Sequence, residues 1–178
     1  MIPRGVRRNA GIVAVVVMCV VASGCRTAQL DRESVEAGLS DSLTESLDGA
    51  EVTSVRCPTA SDVEVTKDES FDCTVTVEGA SVGLVLRLLD DSGRLDYDSG
   101  DVLVRTADVE SSVAAGVADS TRDTVEVDCG ERRVVAGAPP VSVDCDVVGA
   151  GGFEQTASVT VTDPAGAITW TLAEGGSG

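Results

Sequence analysis

Cysteines and carboxylates are the reactive groups this chain holds in number: six of the first and thirty of the second among 178 residues, with no histidine. Without imidazole there is no His-based acid–base step, no Ser-His or Cys-His nucleophile pair and no mixed Cys/His zinc site. Thirteen Lys and Arg leave a formal charge of −17. That balance excludes a general nucleic-acid binder, which needs clustered cations to displace phosphate counterions. Asp90, Asp91, Asp96 and Asp98 surround a turn but lack the D-x-D-x-D-G spacing of a calcium loop. The glycine-rich run at 149–152 follows a predicted strand and opens no helix, so it reads as a hairpin loop, not a phosphate cradle. The chain reads as a non-enzyme with no cofactor and no dedicated metal site.

Cysteine spacing is more informative. Cys57 and Cys73 are 16 residues apart, as are Cys129 and Cys145, and the two pairs are offset by 72. The turn at 90–93 returns at 163–166, and Tyr97 returns as Trp170, both offset by 73. Upstream, Val35, Leu39, Leu43 and Leu47 return as Val109, Val113, Val117 and Thr121, offset by 74. One unit of about 65–70 residues therefore occurs twice, with small insertions or deletions between its elements. Four cysteines allow three pairings, and the repeat selects Cys57–Cys73 with Cys129–Cys145, because each copy must be self-sufficient. A domain of about 60 residues is marginal alone, and a bond closing a ~15-residue loop contributes roughly 3 kcal/mol in the chain-entropy model.

One group of acids stands out. If Val125, Val127 and Cys129 face a core, Glu126 and Asp128 face outward, and so do Asp144 and Asp146 around Cys145. A Cys129–Cys145 bridge then gathers four acids on one patch, where like charges oppose strand pairing unless a cation or a basic partner relieves them. The alternative is a solvated acidic face with Arg132 or Arg133 folded over it. The first copy has Arg56 and Thr74 in place of Asp128 and Asp146, so the patch belongs to the second copy alone.

The elements that must position these groups follow from periodicity. In each copy a helix with apolar residues every fourth position precedes alternating strands. Asp31 or Ser34 caps the first helix and residues 48–49 stop it. The expected fold class is α+β: two tandem small modules, each one N-terminal helix packed on an antiparallel β-meander of three to four strands, with one disulfide per module. Residues 34–98 form the first module and 107–174 the second. Residues 99–106 link them, with 102–104 able to extend a sheet.

The N-terminus reads as an export address. Arg4, Arg7 and Arg8 precede an apolar run at 11–22 that is too short to span a bilayer, which takes roughly 20 apolar residues. The run ends in Val21, Ala22, Ser23, Gly24 and Cys25, a string that resembles a bacterial lipobox with Ala22 where leucine is usual. Residues 1–24 then form a signal peptide, and Cys25 is the lipidation site opening a tether at 25–33. Fully extended, its residues 26–33 reach about 25 Å. Loss of residues 1–24 removes three cations and no acid, and turns −17 into −20.

A lipobox followed by a helix, Cys57-Pro58 and the F-x-C-T-V-x-V-x-G segment at 71–79 is similar to the domain-of-unknown-function family 4333 of actinobacterial lipoproteins. The second copy departs from that pattern, with Gly130 in place of the proline. The resemblance implies an envelope location and a likely fold, and supplies no activity and no catalytic residues. The expected function is a lipid-anchored, extracytoplasmic, non-catalytic binding or structural module on the outer face of the cell membrane. Its partner is an envelope protein or glycan. Inhibition of an extracytoplasmic hydrolase is the alternative, through loops 58–70 or 130–140. A carboxylate-only hydrolase would need an acid pair in a pocket.

Overall fold

The computed structural model describes residues 12–14, 28–29, 31–58, 64–65, 68–90, 93–152 and 154–173. Two compact units divide the chain, with the boundary between Gly100 and Asp101. The architecture is α+β, with two helices, antiparallel sheets and two disulfides.

In the N-terminal unit the elements are β1 (Ile12–Ala14), β2 (Ala28–Gln29), α1 (Arg32–Ser46), β3 (Val52–Arg56), β4 (Glu64–Val65), β5 (Ser70–Val77), β6 (Ala80–Leu88) and β7 (Arg94–Ser99). Asp31 caps α1, its carboxylate accepting the Ser34 N–H at 2.9 Å and the Ser34 hydroxyl at 2.7 Å. The helix ends at Leu47, after which Asp48 and Gly49 take positive φ, the left-handed exit that glycine tolerates without strain. Val35, Leu39, Leu43 and Leu47, four residues apart, are buried. They meet the inward face of a sheet ordered β1-β7-β6-β5-β3, where Cys73, Val75, Val77, Leu84, Leu86, Leu88 and Leu95 are also buried.

The C-terminal unit holds β8 (Val102–Arg105), α2 (Thr106–Thr121), β9 (Val125–Asp128), β10 (Val134–Gly137), β11 (Val141–Gly149), β12 (Glu154–Val161) and β13 (Ile168–Leu172). Its larger sheet runs β13-β12-β11-β9. Val109, Val113 and Val117 of α2 are buried with Cys145, Val147, Ala157, Val159 and Val161. Trp170 packs against the same core. A methyl group built on Gly116 would come within 2.9 Å of its indole, so this helix meets the sheet at a position where only hydrogen fits.

Strand registers locate the shifts between the 74, 72 and 73 offsets. Arg56 lies opposite Thr74 and Asp128 opposite Asp146; Leu86 lies opposite Tyr97 and Val159 opposite Trp170. The helix-to-strand connection is 47–51 in one unit and 122–124 in the other. Thr76 pairs with Ser81 and Val148 with Glu154, so the second hairpin is one residue longer. These two connections account for the drift.

Three features differ from the sequence expectation. The helix is not the first element of either unit. Residues 28–29, expected in a free tether at 25–33, form β2 and pair with β4 inside the disulfide loop: Ala28 with Val65 and Gln29 with Glu64. Residues 102–105, expected in a linker at 99–106, form β8 and pair with β10: Val102 with Gly137 and Leu103 with Ala136. The second ladder stands at the repeat offsets from the first, 74 on one strand and 72 on the other. Closing each loop with a disulfide presents an extended backbone whose hydrogen bonds need a partner, and the segment before the helix supplies it. The third difference is β1. Residues 12–14 of the expected apolar signal run pair with β7, Ile12 opposite Asp96 and Ala14 opposite Arg94, and so cover an edge whose backbone groups are otherwise unpaired. Cys19, Cys25 and the lipobox lie outside the described residues. Among the described residues no helix is long and apolar enough to cross a membrane.

Candidate functional site

Both disulfides form as the repeat predicts, Cys57–Cys73 with Cα atoms 4.2 Å apart and Cys129–Cys145 at 4.0 Å. Cys73 and Cys145 sit mid-strand in the core, at 2% and 0% exposure. Each bond therefore ties the end of one strand to the central strand beside it, and their burial gives them a structural place.

A second feature of each cysteine pair had a sequence signal that passed unread. Glu36 of α1 accepts the N–H of Cys57 through Oε1 at 2.9 Å, and Glu110 of α2 accepts the N–H of Cys129 through Oε1 at the same distance. The two glutamates are offset by 74, as are the apolar helix residues around them. Both copies thus use a helix carboxylate to hold the strand end that carries the disulfide, a charge-assisted bond stronger than a neutral one. The surroundings differ. Burial opposes the charge on Glu36, but the Cys57 N–H, the Arg32 guanidinium at 2.7 Å and nearby Arg56 outweigh it and hold the carboxyl below the usual glutamate value. At the start of α2, Arg105 instead makes a fork to Asp108, Nε to Oδ2 at 2.9 Å and Nη2 to Oδ1 at 2.8 Å.

The four acids of the predicted patch, Glu126, Asp128, Asp144 and Asp146, are all exposed and alternate with inward residues. Asp128 and Asp146 are direct cross-strand partners, Glu126 lies opposite Val148, and Asp144 lies opposite Ser158. One Asp128 oxygen accepts the Gly130 N–H at 2.8 Å. Among the described residues no ion pair joins these acids to a cation, and no group of three or more His, Cys, Asp or Glu converges to hold a metal. The rest of this outer face is hydroxyl-rich, with Ser142, Thr156, Ser158, Thr160, Thr169 and Thr171 beside Glu154. In the N-terminal unit the matching face mixes both signs: Arg56, Arg87 and Arg94 stand with Asp72, Asp96 and Asp98, and Arg87 contacts Asp96 at 3.7 Å.

The loop at 130–140, a candidate inhibitory loop on sequence grounds, is pinned along its middle. Val134 and Val135 of β10 are buried at 2% and 6% exposure, and the Thr106 N–H donates to the Arg133 carbonyl. Within 58–70 the matching strand is β4.

Residues 14–93 match the model of a family described as a domain of unknown function, DUF4333. The N-terminal unit carries a DUF4333-like domain. The matched stretch of this domain takes in the last residue of β1, the Cys57–Cys73 bond and the Glu36 contact, and stops one residue before β7. Neither curated proteins nor solved structures give a match to the chain.

Proposed function

We propose that this is an exported lipoprotein, cleaved before Cys25, acylated there and displayed on the outer face of the cell membrane. In this reading it is a non-catalytic binding or structural module made of two tandem copies of one α+β domain. The observation that carries the proposal is the run from Arg4 to Cys25: cations, an apolar segment and small residues before a cysteine. Two disulfides add weight, since such bonds persist in oxidising compartments outside the cytosol. The non-catalytic part rests on chemistry. A working acid pair needs burial that separates the two carboxyl pKa values, and the acids that cluster here lie on an open sheet face. The partner is an envelope protein or glycan, with the acidic, hydroxyl-rich face of the C-terminal unit as the surface offered to it.

The test is the mass of the mature protein taken from membranes of an expressing cell. Loss of residues 1–24 with a diacylglyceryl group on Cys25 is expected, and Cys25→Ala should accumulate as unprocessed, unacylated precursor. A mature N-terminus elsewhere, with Cys25 unmodified, overturns the proposal. Crosslinking in the native envelope then tests the partner; a survey returning only random neighbours removes the binding role.

A further inference from the structure

The position of β2 has a consequence for how the N-terminal unit meets the membrane. Cys25 precedes Ala28 by three residues, a stretch that reaches at most about 10 Å. Ala28 is not free to wander, because it is paired with Val65 inside the disulfide loop. Resting on the acylation proposed above, we infer that one defined end of this unit lies against the phospholipid headgroups: the end carrying the β2–β4 ladder.

The sheet fixes what else is at that end. Arg56 closes β3, Ser70 opens β5 opposite Arg87, Leu88 closes β6 and Arg94 is one residue from its partner Leu95. The Asp68 N–H donates to the Leu88 carbonyl, and the Leu88 N–H donates to the Glu69 carbonyl. The N-terminal turn of α1 is there too, since Glu36 holds the Cys57 N–H. The far end holds the last turn of α1, the start of β3 and the β5–β6 turn at 78–79.

Cations are segregated along the same axis, although the ladder end also carries Asp31, Glu33, Glu36, Asp68, Glu69 and Asp90. Among the described residues of this unit the cations are Arg32, Arg56, Arg87 and Arg94, and all four stand at the ladder end. The far end carries Glu45, Asp48, Glu51 and Glu78 and no cation. The side chains of Arg32, Arg87 and Arg94 are 41%, 53% and 52% exposed, in ion pairs open to solvent. Such pairs contribute little, and a guanidinium exchanges a carboxylate for a lipid phosphate with the same forked geometry. The tether therefore sets the orientation, and among the described residues it brings all four cations of this unit beside the headgroups.

The experiment uses the mature, acylated protein in phosphatidylcholine–phosphatidylglycerol vesicles that carry a nitroxide on the lipid headgroup. In a Trp170→Phe background a single tryptophan is placed by Ser70→Trp or by Ser81→Trp. Both are exposed positions on the outer face of the sheet, separated along the strands by about 20 Å at ~3.4 Å per residue. The Ser70→Trp protein should be quenched several-fold more than the Ser81→Trp protein; equal or reversed quenching overturns the inference. Carbodiimide footprinting of the unsubstituted protein keeps the test independent of those variants. Glu33 should lose reactivity on vesicles relative to detergent, and Glu51 should not. A Cys25 without lipid overturns both the acylation and this inference, whereas lipidated protein with equal quenching and equal footprints overturns the orientation alone.

Discussion

The N-terminal and C-terminal units reach the same strand registers with different core chemistry. The first packs Leu39, Leu43, Leu84, Leu86 and Leu88, where the second has Val113, Val117, Ala157, Val159 and Val161. Part of the missing volume returns on the edge strand, as Trp170 in place of Tyr97. The indole then needs Gly116 beneath it, where the first unit has Ser42. Shared by both are the disulfide, the helix carboxylate on its cysteine N–H and the two-stranded ladder that closes the disulfide loop. Core volume is thus the tolerant part of this design, as expected where size and patterning are kept. The strand end at the first cysteine is the intolerant part.

Removing the bonds tests that division most strongly. Cys57→Ala with Cys73→Ala, and Cys129→Ala with Cys145→Ala, should each destabilise their own unit by roughly 3 kcal/mol, because the loops are of equal length. Chemical denaturation followed by residue-level hydrogen exchange separates the units. A loss confined to one of them breaks the equivalence.

The glutamates come next. Glu36→Ala and Glu110→Ala should each cost about 1.5–3 kcal/mol, the range for a hydrogen bond to a charged group, with the greater loss at Glu36, which also holds Arg32. Here pH tests the first copy. Glu36 is depressed below its ordinary value of 4.5, so the unfolded chain takes up its proton first as acid is added. The stabilisation is fully present above that value and is lost as pH falls through the folded-state pKa. Thermal unfolding of the N-terminal unit between pH 6 and pH 3 should fall more steeply than that of Glu36→Gln; parallel curves remove the role assigned to this carboxylate.

The glycine-for-serine exchange predicts opposite signs. Gly116→Ala gains about 1 kcal/mol of helix propensity but drives a methyl into a rigid ring, and overpacking costs roughly 1–3 kcal/mol. A net loss of about 1 kcal/mol is expected by denaturant titration, whereas Ser42→Ala should stabilise by a few tenths. Smaller than the loss at Gly116 is the effect of Thr106→Val. The Thr106 hydroxyl is buried without a hydrogen-bond partner, while its counterpart at the repeat offset, Arg32, is open to solvent. Replacing it with a methyl should raise stability by about 0.5–1 kcal/mol, and a loss instead would mean that the hydroxyl has a partner.

Much of this was legible in the sequence. The disulfide pairing, both helices and the eight strands at 52–56, 70–77, 80–88, 94–99, 125–128, 141–149, 154–161 and 168–172 follow from cysteine spacing and from periods of four and two. These signals come from side chains that must face a core. The β2–β4 ladder was not legible, because its strands are two residues long and carry no alternation; of the second ladder, residues 102–104 read as able to extend a sheet, but their partner β10 did not show. The outward placement of Glu126, Asp128, Asp144 and Asp146 followed from alternation, but their opposition across strands depends on register, which no single strand encodes. Glu36 and Glu110 were legible and passed over. A repeated charged residue on a helix reads as solubility until the strand end it holds is in view.

The short strand β1 bears on timing. If the chain is exported as proposed, residues 12–14 are wanted twice: as part of the apolar run an export receptor would take, and as the strand that covers β7. Whichever forms first excludes the other. In a reducing cytosol the Cys57–Cys73 bond is withheld, so the N-terminal unit lacks a large share of its stability while the chain is new. The race then favours the receptor. On the proposed export the order reverses after translocation: the bond would close, the apolar run would be cut away, and β7 would be left as an open edge. The disulfide would thus act as a clock, keeping the fold from closing until the chain has left.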